Sequence, residues 1–354
     1  MEFLKPLADA NDFPKPKVLA LPTKMLEANA PSQKSERILS KDVISLGLTD
    51  HARTGLFIIA KTITSRCIWL PSYHCPALVE PFLAAGKKIN FYPVSARLAP
   101  DLDFLTEQLQ IDDALVGVRY FGFDCEMESL ANICNQQQVL LIEDLAHAAF
   151  FSKLYGDIAI TSLVKFYPIS QGGELLVSKN SKLLLPLKKK LEILPNYFFA
   201  IIKQLTKKIS SKLLSSQASH YRYFIEEKMS RGLAQSDLVS IHSIVQKNII
   251  KSRQENYRYL VKHLMNCSLG HLLMPDLEDH VTPYVVPFLL NNEAGFNYIR
   301  QQGIQIYRWE EIVPTTCVIS NKYRSLLIQL PCHQDLTKQE LDYIVAVLME
   351  NKNG

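Results

Sequence analysis

The sequence lacks several features that would place the protein in a membrane, outside the cell or on nucleic acid. No apolar run approaches the roughly 20 residues that a transmembrane helix needs, and the first residues, MEFLKPLADANDFPKPK, carry charges and prolines where a signal peptide has an apolar segment. The seven cysteines form no CxxC pair and have no regular spacing, which predicts reduced thiols in a cytoplasmic protein. The net charge of +4 comes with no arginine-rich block, so nucleic acid is not expected as a partner.

Chain length and the order of local patterns predict the domain organisation. The 354 residues are 47% apolar and 21% charged, as in a globular protein with room for two domains. Residues 1–45 contain several prolines without sustained periodicity and are interpreted as an N-terminal arm. Short apolar runs then alternate with helical patterns, which favours a mostly parallel sheet covered by helices on both faces. We expect a large domain at 46–236, then a linking helix and a small C-terminal domain at 237–354.

Local signals also predict individual elements. The first helix, RTGLFIIAKTI, has Thr49 or Asp50 as its candidate cap, and a long helix is predicted at 237–265. Thr337 and Glu340 match a capping box at the start of the last helix. In the C-terminal part, strands are predicted at YVVPFLL, IQIYRW and SLLIQL, with the helix AGFNYIRQQ after the first of them.

Candidate catalytic and cofactor-binding residues are concentrated between positions 139 and 177. The run VLLIED ends in Asp144, the run IAITSLVK ends in Lys165, and Gly172-Gly173 precede a third apolar run. Such runs indicate buried strands, and ligands of parallel sheets bind beyond the carboxyl ends of the strands. A lysine and an aspartate at neighbouring strand ends suit a cofactor that is joined to a lysine and has a pyridinium nitrogen in need of a charge partner.

The segment 182–214 is a basic insert with eight lysines and one glutamate. Apolar residues recur at helical spacing in its second half. The lysines on the opposite face are Lys203, Lys207, Lys208 and Lys212. The pattern fits a surface helix with a solvated lysine face, and it also fits a peripheral contact with a membrane or another acidic surface.

Six stretches, taken in order, resemble those of one enzyme family. They are ARTGL, LPSYHCPA, YFGFDCEMESL, the run from IEDLAHA to the Gly-Gly pair, SRQENYRYL and LPCHQDLTKQELDYI. In this order they resemble the DegT/DnrJ family of fold-type I enzymes that use pyridoxal 5'-phosphate (PLP), over residues 45–350. The resemblance implies an α/β fold, with a mostly parallel central sheet sandwiched by helices and a smaller α+β C-terminal domain.

The same resemblance implies a function and an assembly. Most members are aminotransferases, so the expected reaction moves an amino group from a small-molecule donor such as glutamate to a keto sugar, nucleotide-linked or related. The expected context is glycan or secondary-metabolite biosynthesis. Fold-type I enzymes are homodimers with the active site at the subunit boundary, and the arm before residue 45 is a candidate for reaching across the two-fold axis.

The resemblance also assigns roles to three residues of the 139–177 stretch. Lys165 matches the lysine that binds PLP covalently, because Gly172-Gly173 stand at the family's offset from it. Asp144 matches the carboxylate that keeps the pyridine nitrogen protonated. His147 stands where the family has Gln or His near the phenolic oxygen of the cofactor, and a histidine satisfied within the core fits the sequence as well.

Phosphate binding needs backbone amides at a helix start together with hydroxyl groups. Arg53 and Thr54 match the helix start that the family uses, although Ala52 replaces the usual glycine. Ser162 is the hydroxyl candidate, and it precedes Lys165 by three residues where many members have five.

Two family features are altered in this chain. The position that is commonly aromatic and stacks on the PLP ring is Cys75, so His74 or Tyr73 is the candidate for the stacking face. The Asn-x-Arg substrate segment that precedes the long helix has no convincing counterpart, which puts the usual sugar-nucleotide substrate in doubt.

Other functions fit parts of the same sequence. Ser162 and Lys165 have the SxxK spacing of penicillin-binding acyl enzymes, but the downstream motifs of that class are reduced to Ser236-Asp237-Leu238 and KTG is absent. A non-catalytic binding protein with this fold is a second alternative. A PLP-dependent dehydratase or lyase is a third, since it would use the same lysine and aspartate.

Overall fold

The structure is a computed structural model, and it describes residues 1–23, 40–196 and 221–350. The β-strands in these residues are β1 (Val43–Thr49), β2 (Cys67–Pro71), β3 (Lys88–Tyr92), β4 (Ala114–Val118), β5 (Leu140–Leu145), β6 (Ile158–Ser162), β7 (Gly173–Ser178), β8 (Gly270–Leu272), β9 (Val285–Leu290) and β10 (Leu327–Pro331). The α-helices are α1 (Ala52–Thr62), α2 (Pro76–Ala84), α3 (Leu102–Gln108), α4 (Met127–Gln137), α5 (Leu184–Ile193), α6 (Gln235–Ser243), α7 (Gln246–Leu264), α8 (Ala294–Gln301), α9 (Val318–Leu326) and α10 (Lys338–Glu350).

The larger sheet has seven strands in the order β1-β7-β6-β5-β4-β2-β3. Strands β2 to β6 are parallel to one another, and β7 is antiparallel to both of its neighbours, β6 and β1. Every residue of β4 and β6 is buried, as in a sheet that is covered on both faces. The mostly parallel sheet predicted from the sequence is therefore confirmed.

Helices cover this sheet with their apolar faces. Helix α1 packs against α2, α5, β6 and β7, whereas α3 packs against α4, which contacts β4 and β5. Ile59 of α1 has no exposed surface, and full burial of one such side chain stabilises the fold by roughly 1.5–3 kcal/mol. The helix is therefore held mainly by its packing on the sheet.

The strand directions bring three segments to one edge of the sheet. The parallel strands β5 and β6 end there at Asp144-Leu145 and Ser162, and the antiparallel β7 begins there at Gly173. Gly173 pairs with Ser162 on one side and with Thr49 on the other. Helix α1 therefore begins at the same edge, directly after β1.

The smaller sheet is antiparallel, in the order β10-β9-β8. It shares a separate apolar core with α7 and α10. The first residues of the chain pack on this part of the same chain: Val18 is buried and bridges Ile304, and the Leu4 amide donates to the Ile312 carbonyl. The domain boundaries at 45/46 and 236/237 stay predictions.

Several predicted elements need correction. Residues 304–309 form isolated bridges to Val18 and Gln329 instead of a strand, and residues before β10 form helix α9, which was missed. The helix predicted at 237–265 is two helices, because the buried Ile244 is extended between α6 and α7. Strand β1 was not predicted, and its residues 43–45 were assigned to the arm. Its apolar Ile44, Leu46 and Leu48 do alternate with smaller residues, and the strand pairs with β7.

The predicted helix caps have different outcomes. At the last helix, the Glu340 amide donates to the Thr337 hydroxyl and the Glu340 carboxylate accepts from the Thr337 amide, so the capping box is confirmed. At α1 the N-cap is His51, which caps with no side-chain bond. Thr49 instead donates its hydroxyl to the His51 carbonyl, and the Asp50 carboxylate contacts the His51 ring.

No described helix is long and apolar enough to cross a membrane. The basic pattern at 198–214 lies within 197–220, outside the described residues.

Candidate active site

A cavity of about 230 Å³ lies at the edge where β5, β6 and β7 meet the start of α1. Its wall combines charged groups with small apolar side chains. The residues that supply polar or aromatic groups are His51, Arg53, Cys75, Asp144, His147, Ser162, Lys165 and Trp309. We call this the inner cavity.

The start of α1 forms one end of the inner cavity. Ala52 and Arg53 line it, and the first amides of a helix have no acceptor within the helix, so they are available to an anion. Gly173 allows the start of α1 to lie close to β7, since a Cβ at residue 173 would lie 2.4 Å from the Ala52 nitrogen. Ser162, at the end of β6, lines the same cavity. Thr54 does not: it is buried and its amide donates to the His51 carbonyl.

Arg53 is the cationic side chain at this end. Burial lowers the pKa of its guanidinium, and the nearby carboxylates of Asp50 and Glu80 oppose that change. An amide pair, a hydroxyl and a guanidinium therefore converge on one small region, which is the donor set that a phosphate group requires.

Asp144 supplies the buried carboxylate of the inner cavity. Its Oδ1 accepts from the Ala146 amide at 2.8 Å, which fixes the carboxylate in place. Burial raises its pKa, while the Ala146 hydrogen bond and the charge of Lys165 act in the opposite direction. A cationic N–H group in the cavity would stabilise the ionised form.

Glu143, the neighbour of Asp144, has a structural role. It is fully buried and paired with Arg119 at 2.6 Å. Its other oxygen accepts the amides of Tyr155 and Gly156. Because adjacent strand residues point to opposite faces, this acidic pair separates into one carboxylate that anchors a loop and one that lines the cavity.

Lys165 ends a short 3-10 turn, Leu163–Lys165, directly after β6. Its ammonium lies 5.3 Å from the centre of the Tyr284 ring. Burial lowers its pKa, and Cys75 and Asp144 oppose that change. A lowered pKa increases the fraction of neutral amine, which is the form that acts as a nucleophile or a base.

His147 is held between aromatic rings at the rim of the inner cavity. Its ring stacks on Tyr284 at 4.5 Å and on Phe121 at 5.5 Å, and its Nδ1 accepts from the Phe121 amide at 3.3 Å. Burial lowers its pKa well below the usual value, and Lys165 adds to this effect. The ring is therefore neutral, with its proton on Nε2.

The structure does not bring His74 or Tyr73 to the cavity, which corrects the predicted stacking residues. His74 is fully buried and stacks on Phe91 at 5.0 Å, and its Nε2 accepts from the Val313 amide. Burial lowers the pKa of His74 to about 3. Cys75 and Trp309 line the cavity instead.

Trp309 was missed because the run IQIYRW was interpreted as a strand. Within the described residues it is the only Phe, Tyr or Trp side chain that lines the inner cavity. The sequence signal that could have identified Trp309 is the rarity of tryptophan, since the chain contains only two.

A second cavity of about 250 Å³, the outer cavity, adjoins the inner one. The two share Cys75, Ala77, His147, Lys165 and Trp309. The outer wall adds Tyr223, Tyr284, Tyr307, Arg308, Glu310, Glu311 and Gln329. Lys165 therefore lies where a bound cofactor and a second molecule would meet.

A buried carboxylate positions part of the outer wall. Glu80 of α2 accepts the amides of Arg222, Tyr223 and Phe224, at 3.1, 2.7 and 2.7 Å. The Tyr223 hydroxyl in turn donates to Glu311. These contacts bring the chain after the undescribed segment back to the cavity.

The residues present fit PLP. The inner cavity offers an amine, a carboxylate for a protonated ring nitrogen, a flat indole ring and a phosphate-binding helix start. The chemistry of this donor set decides the fit, and Gly173 supports it, because the missing Cβ lets the start of α1 lie directly against β7 beside the cavity.

Comparisons with known proteins agree with this geometry. Residues 104–171 match the model of the DegT/DnrJ/EryC1/StrS aminotransferase family, which confirms the family resemblance over that segment. A search of curated protein sequences finds no match.

Solved aminotransferase structures confirm the predicted fold class. TlmJ from Streptoalloteichus hindustanus is 17% identical, with 87% of this chain and 85% of that chain covered and a TM-score of 0.64. PseC from Helicobacter pylori, involved in pseudoaminic acid biosynthesis, is 14% identical, with 88% and 86% covered and a TM-score of 0.66. NtdA from Bacillus subtilis, solved with bound PMP, is 16% identical, with 87% and 72% covered and a TM-score of 0.63.

The close contact between Gly173 and the start of α1 predicts the effect of one added methyl group. Gly173→Ala is expected to weaken PLP binding about tenfold, because the new Cβ displaces Ala52 and His51. The dissociation constant is measured by spectroscopic titration. Gly86→Ala is the matched control: its φ is +78° but an added Cβ meets nothing within 4 Å, so it costs stability without changing PLP affinity. Equal affinity loss in both variants would contradict the assignment.

Proposed function

We propose that this chain is a PLP-dependent aminotransferase that transfers an amino group to a keto sugar, nucleotide-linked or related, in glycan or secondary-metabolite biosynthesis. The observation that carries the proposal is the convergence of Lys165, Asp144 and the start of α1 on one cavity at the carboxyl edge of the sheet. The family match at 104–171 and the shared fold support it.

PLP, when bound, supplies a protonated pyridine ring that withdraws electrons from a carbon bearing an amino group. Asp144 would hold the ring nitrogen, since it is the carboxylate of the inner cavity. Ser162, Arg53 and the first amides of α1 would hold the phosphate. His147 would donate its Nε2 proton to the phenolic oxygen.

Lys165 has two tasks in this proposal. Its Nζ is the point of covalent attachment, and it then moves a proton as the amino group is transferred. Both tasks need the neutral amine, and burial already lowers the pKa of Lys165. Its place on the shared wall of the two cavities lets one amine serve the cofactor and the substrate.

The substrates and the location follow from the same proposal. A small amino donor and the keto acceptor would bind in turn in the outer cavity. All seven cysteines are free, which supports a cytoplasmic location.

Lys165 and Asp144 give the central test. Wild-type protein with PLP should show a visible absorption band, and borohydride should fix the cofactor on the peptide that contains Lys165. Lys165→Ala should lose both the fixation and transamination while it keeps its fold. Asp144→Asn should retain PLP but lose about 1.5–3 kcal/mol of a buried charge-assisted contact, which lowers the rate by about tenfold or more.

Lys153→Ala is the control, because Lys153 is exposed and paired with Glu128. It should change neither the band nor the rate. The proposal fails if wild-type protein takes up no PLP, or if Lys165→Ala keeps full activity. PLP binding without deamination of any donor would favour the non-catalytic alternative, and an unsaturated product would favour the dehydratase or lyase.

We expect the protein to be a homodimer. Residues 1–23 pack on their own chain, so that part of the predicted arm is not free to cross a two-fold axis, and 24–39 lie outside the described residues. Light scattering should give twice the chain mass of 40.3 kDa. A monomer that binds PLP and turns over would contradict this expectation.

The lysine pattern at 198–214 supports peripheral binding to an anionic membrane, with about 1 kcal/mol from each lysine near the surface. Co-sedimentation with vesicles that contain phosphatidylserine should therefore decrease with salt. Reversing the charges of Lys203, Lys207, Lys208 and Lys212 should abolish binding, whereas reversing Lys188 and Lys189 of α5 should reduce it less. Unchanged binding after the fourfold reversal would remove the proposal.

A further inference from the structure

The inner cavity has polar groups for most parts of a PLP molecule but only one large aromatic wall. Asp144, Ser162 and Lys165 provide charge and hydrogen bonds, and much of the remaining lining is aliphatic. A flat heteroaromatic ring gains most from a flat apolar surface on one of its faces. Among the described residues that line the cavity, only Trp309 has an aromatic ring larger than an imidazole.

Buried tyrosines support the Trp309 indole from behind. Its ring centre lies 5.2 Å from that of Tyr73, with 32° between the planes, and 5.7 Å from that of Tyr120. Both tyrosines are almost completely buried, and the Tyr120 hydroxyl donates to the Tyr73 carbonyl. The indole is therefore held against a rigid aromatic surface.

The backbone on both sides of Trp309 is also fixed. Arg308 pairs with Glu310 at 2.5 Å and donates to the Ser325 carbonyl at 2.8 Å. The Glu310 carboxylate accepts the Leu7 amide at 2.6 Å. Arg324 donates to the Glu310 carbonyl. Because the segment is positioned before any ligand binds, little conformational entropy remains to be lost on binding.

We propose that Trp309 supplies the aromatic face for the pyridine ring of the cofactor. The inference rests on the proposed PLP chemistry and adds a residue to it. Cys75 lines the same cavity with a small side chain, which leaves room for an indole that arrives from a distant part of the chain. The stacking role that the region 73–75 was predicted to fill thus passes to residue 309.

Intrinsic fluorescence provides a direct readout, because the chain has two tryptophans. Trp69→Phe leaves Trp309 as the only one, and Trp309→Phe leaves Trp69. Trp69 lies on β2 and donates its Nε1–H to Asp113, just before β4, towards the amino edge of the sheet. Energy transfer to PLP reduces the emission of both, so the ratio of the two quenching amplitudes is the measured quantity. PLP should quench Trp309 almost completely and Trp69 only in part.

Affinity gives a second readout. Trp309→Ala should raise the PLP dissociation constant about tenfold and change the visible circular dichroism of the bound cofactor. Trp309→Phe should restore affinity to within about threefold, because a flat ring is retained. Tyr259→Ala is the control, since Tyr259 lies on α7 and lines neither cavity; it should leave PLP affinity unchanged.

Each outcome decides the proposal. If borohydride fixes PLP on Lys165 but Trp309 is quenched no more than Trp69, the stacking role is wrong while the aminotransferase proposal stands. If Trp309 responds only when a keto acceptor is added, the indole belongs to the acceptor site and the proposal is also wrong. Absence of PLP uptake by wild-type protein overturns both. The quenching comparison uses only phenylalanine substitutions, so it does not depend on whether Trp309→Ala folds.

Discussion

The site depends on one buried guanidinium. Arg253 of α7 has no exposed surface, and it donates to the carbonyls of Lys165 and Tyr284, at 2.8 and 2.9 Å, and to the Gln334 side chain. Gln334 in turn donates to the Phe166 carbonyl. The turn that carries Lys165 is thus tied to the start of β9 and to the chain after β10. Because a buried charge without its hydrogen bonds is costly, these contacts hold the two parts of the fold together next to Lys165.

The sequence predicted the parts of the site that depend on local order. Asp144 and Lys165 each stand at the end of an apolar run, and alternation with helices predicts parallel strands, so their common edge could be anticipated. Gly173 begins its run, and it reaches the same edge because β7 is antiparallel. Trp309 and Arg253 join the site only through folding of distant segments. His74 was a wrong choice for the stacking face because its neighbours in sequence gave no sign that it would be fully buried against Phe91.

Chemistry and specificity rest on different supports in this fold. The inner cavity is built on strand ends and the start of α1, whose positions the larger sheet fixes. The outer wall is built from segments that long-range contacts hold in place, such as Glu80 with the amides of 222–224 and Glu310 with the N-terminal residues. A change in those contacts would reshape the outer wall and leave Lys165 and Asp144 in place. The shape of the outer wall can therefore vary independently of the inner cavity.

The buried charges of the inner cavity favour a ligand that carries the opposite charges. Burial raises the pKa of Asp144 and lowers that of Lys165, so each group is pushed towards its neutral form. Because the pKa of Asp144 is raised on folding, stability is lost as pH rises from its unfolded to its folded pKa. Because the pKa of Lys165 is lowered on folding, stability is lost as pH falls from its unfolded to its folded pKa. At neutral pH the burial of both charges opposes folding. The attraction between the two charges compensates for only part of this cost. A ligand with a cationic ring nitrogen and an anionic phosphate complements Asp144 and the start of α1 together. Its binding would therefore offset part of the free-energy cost of burying these groups.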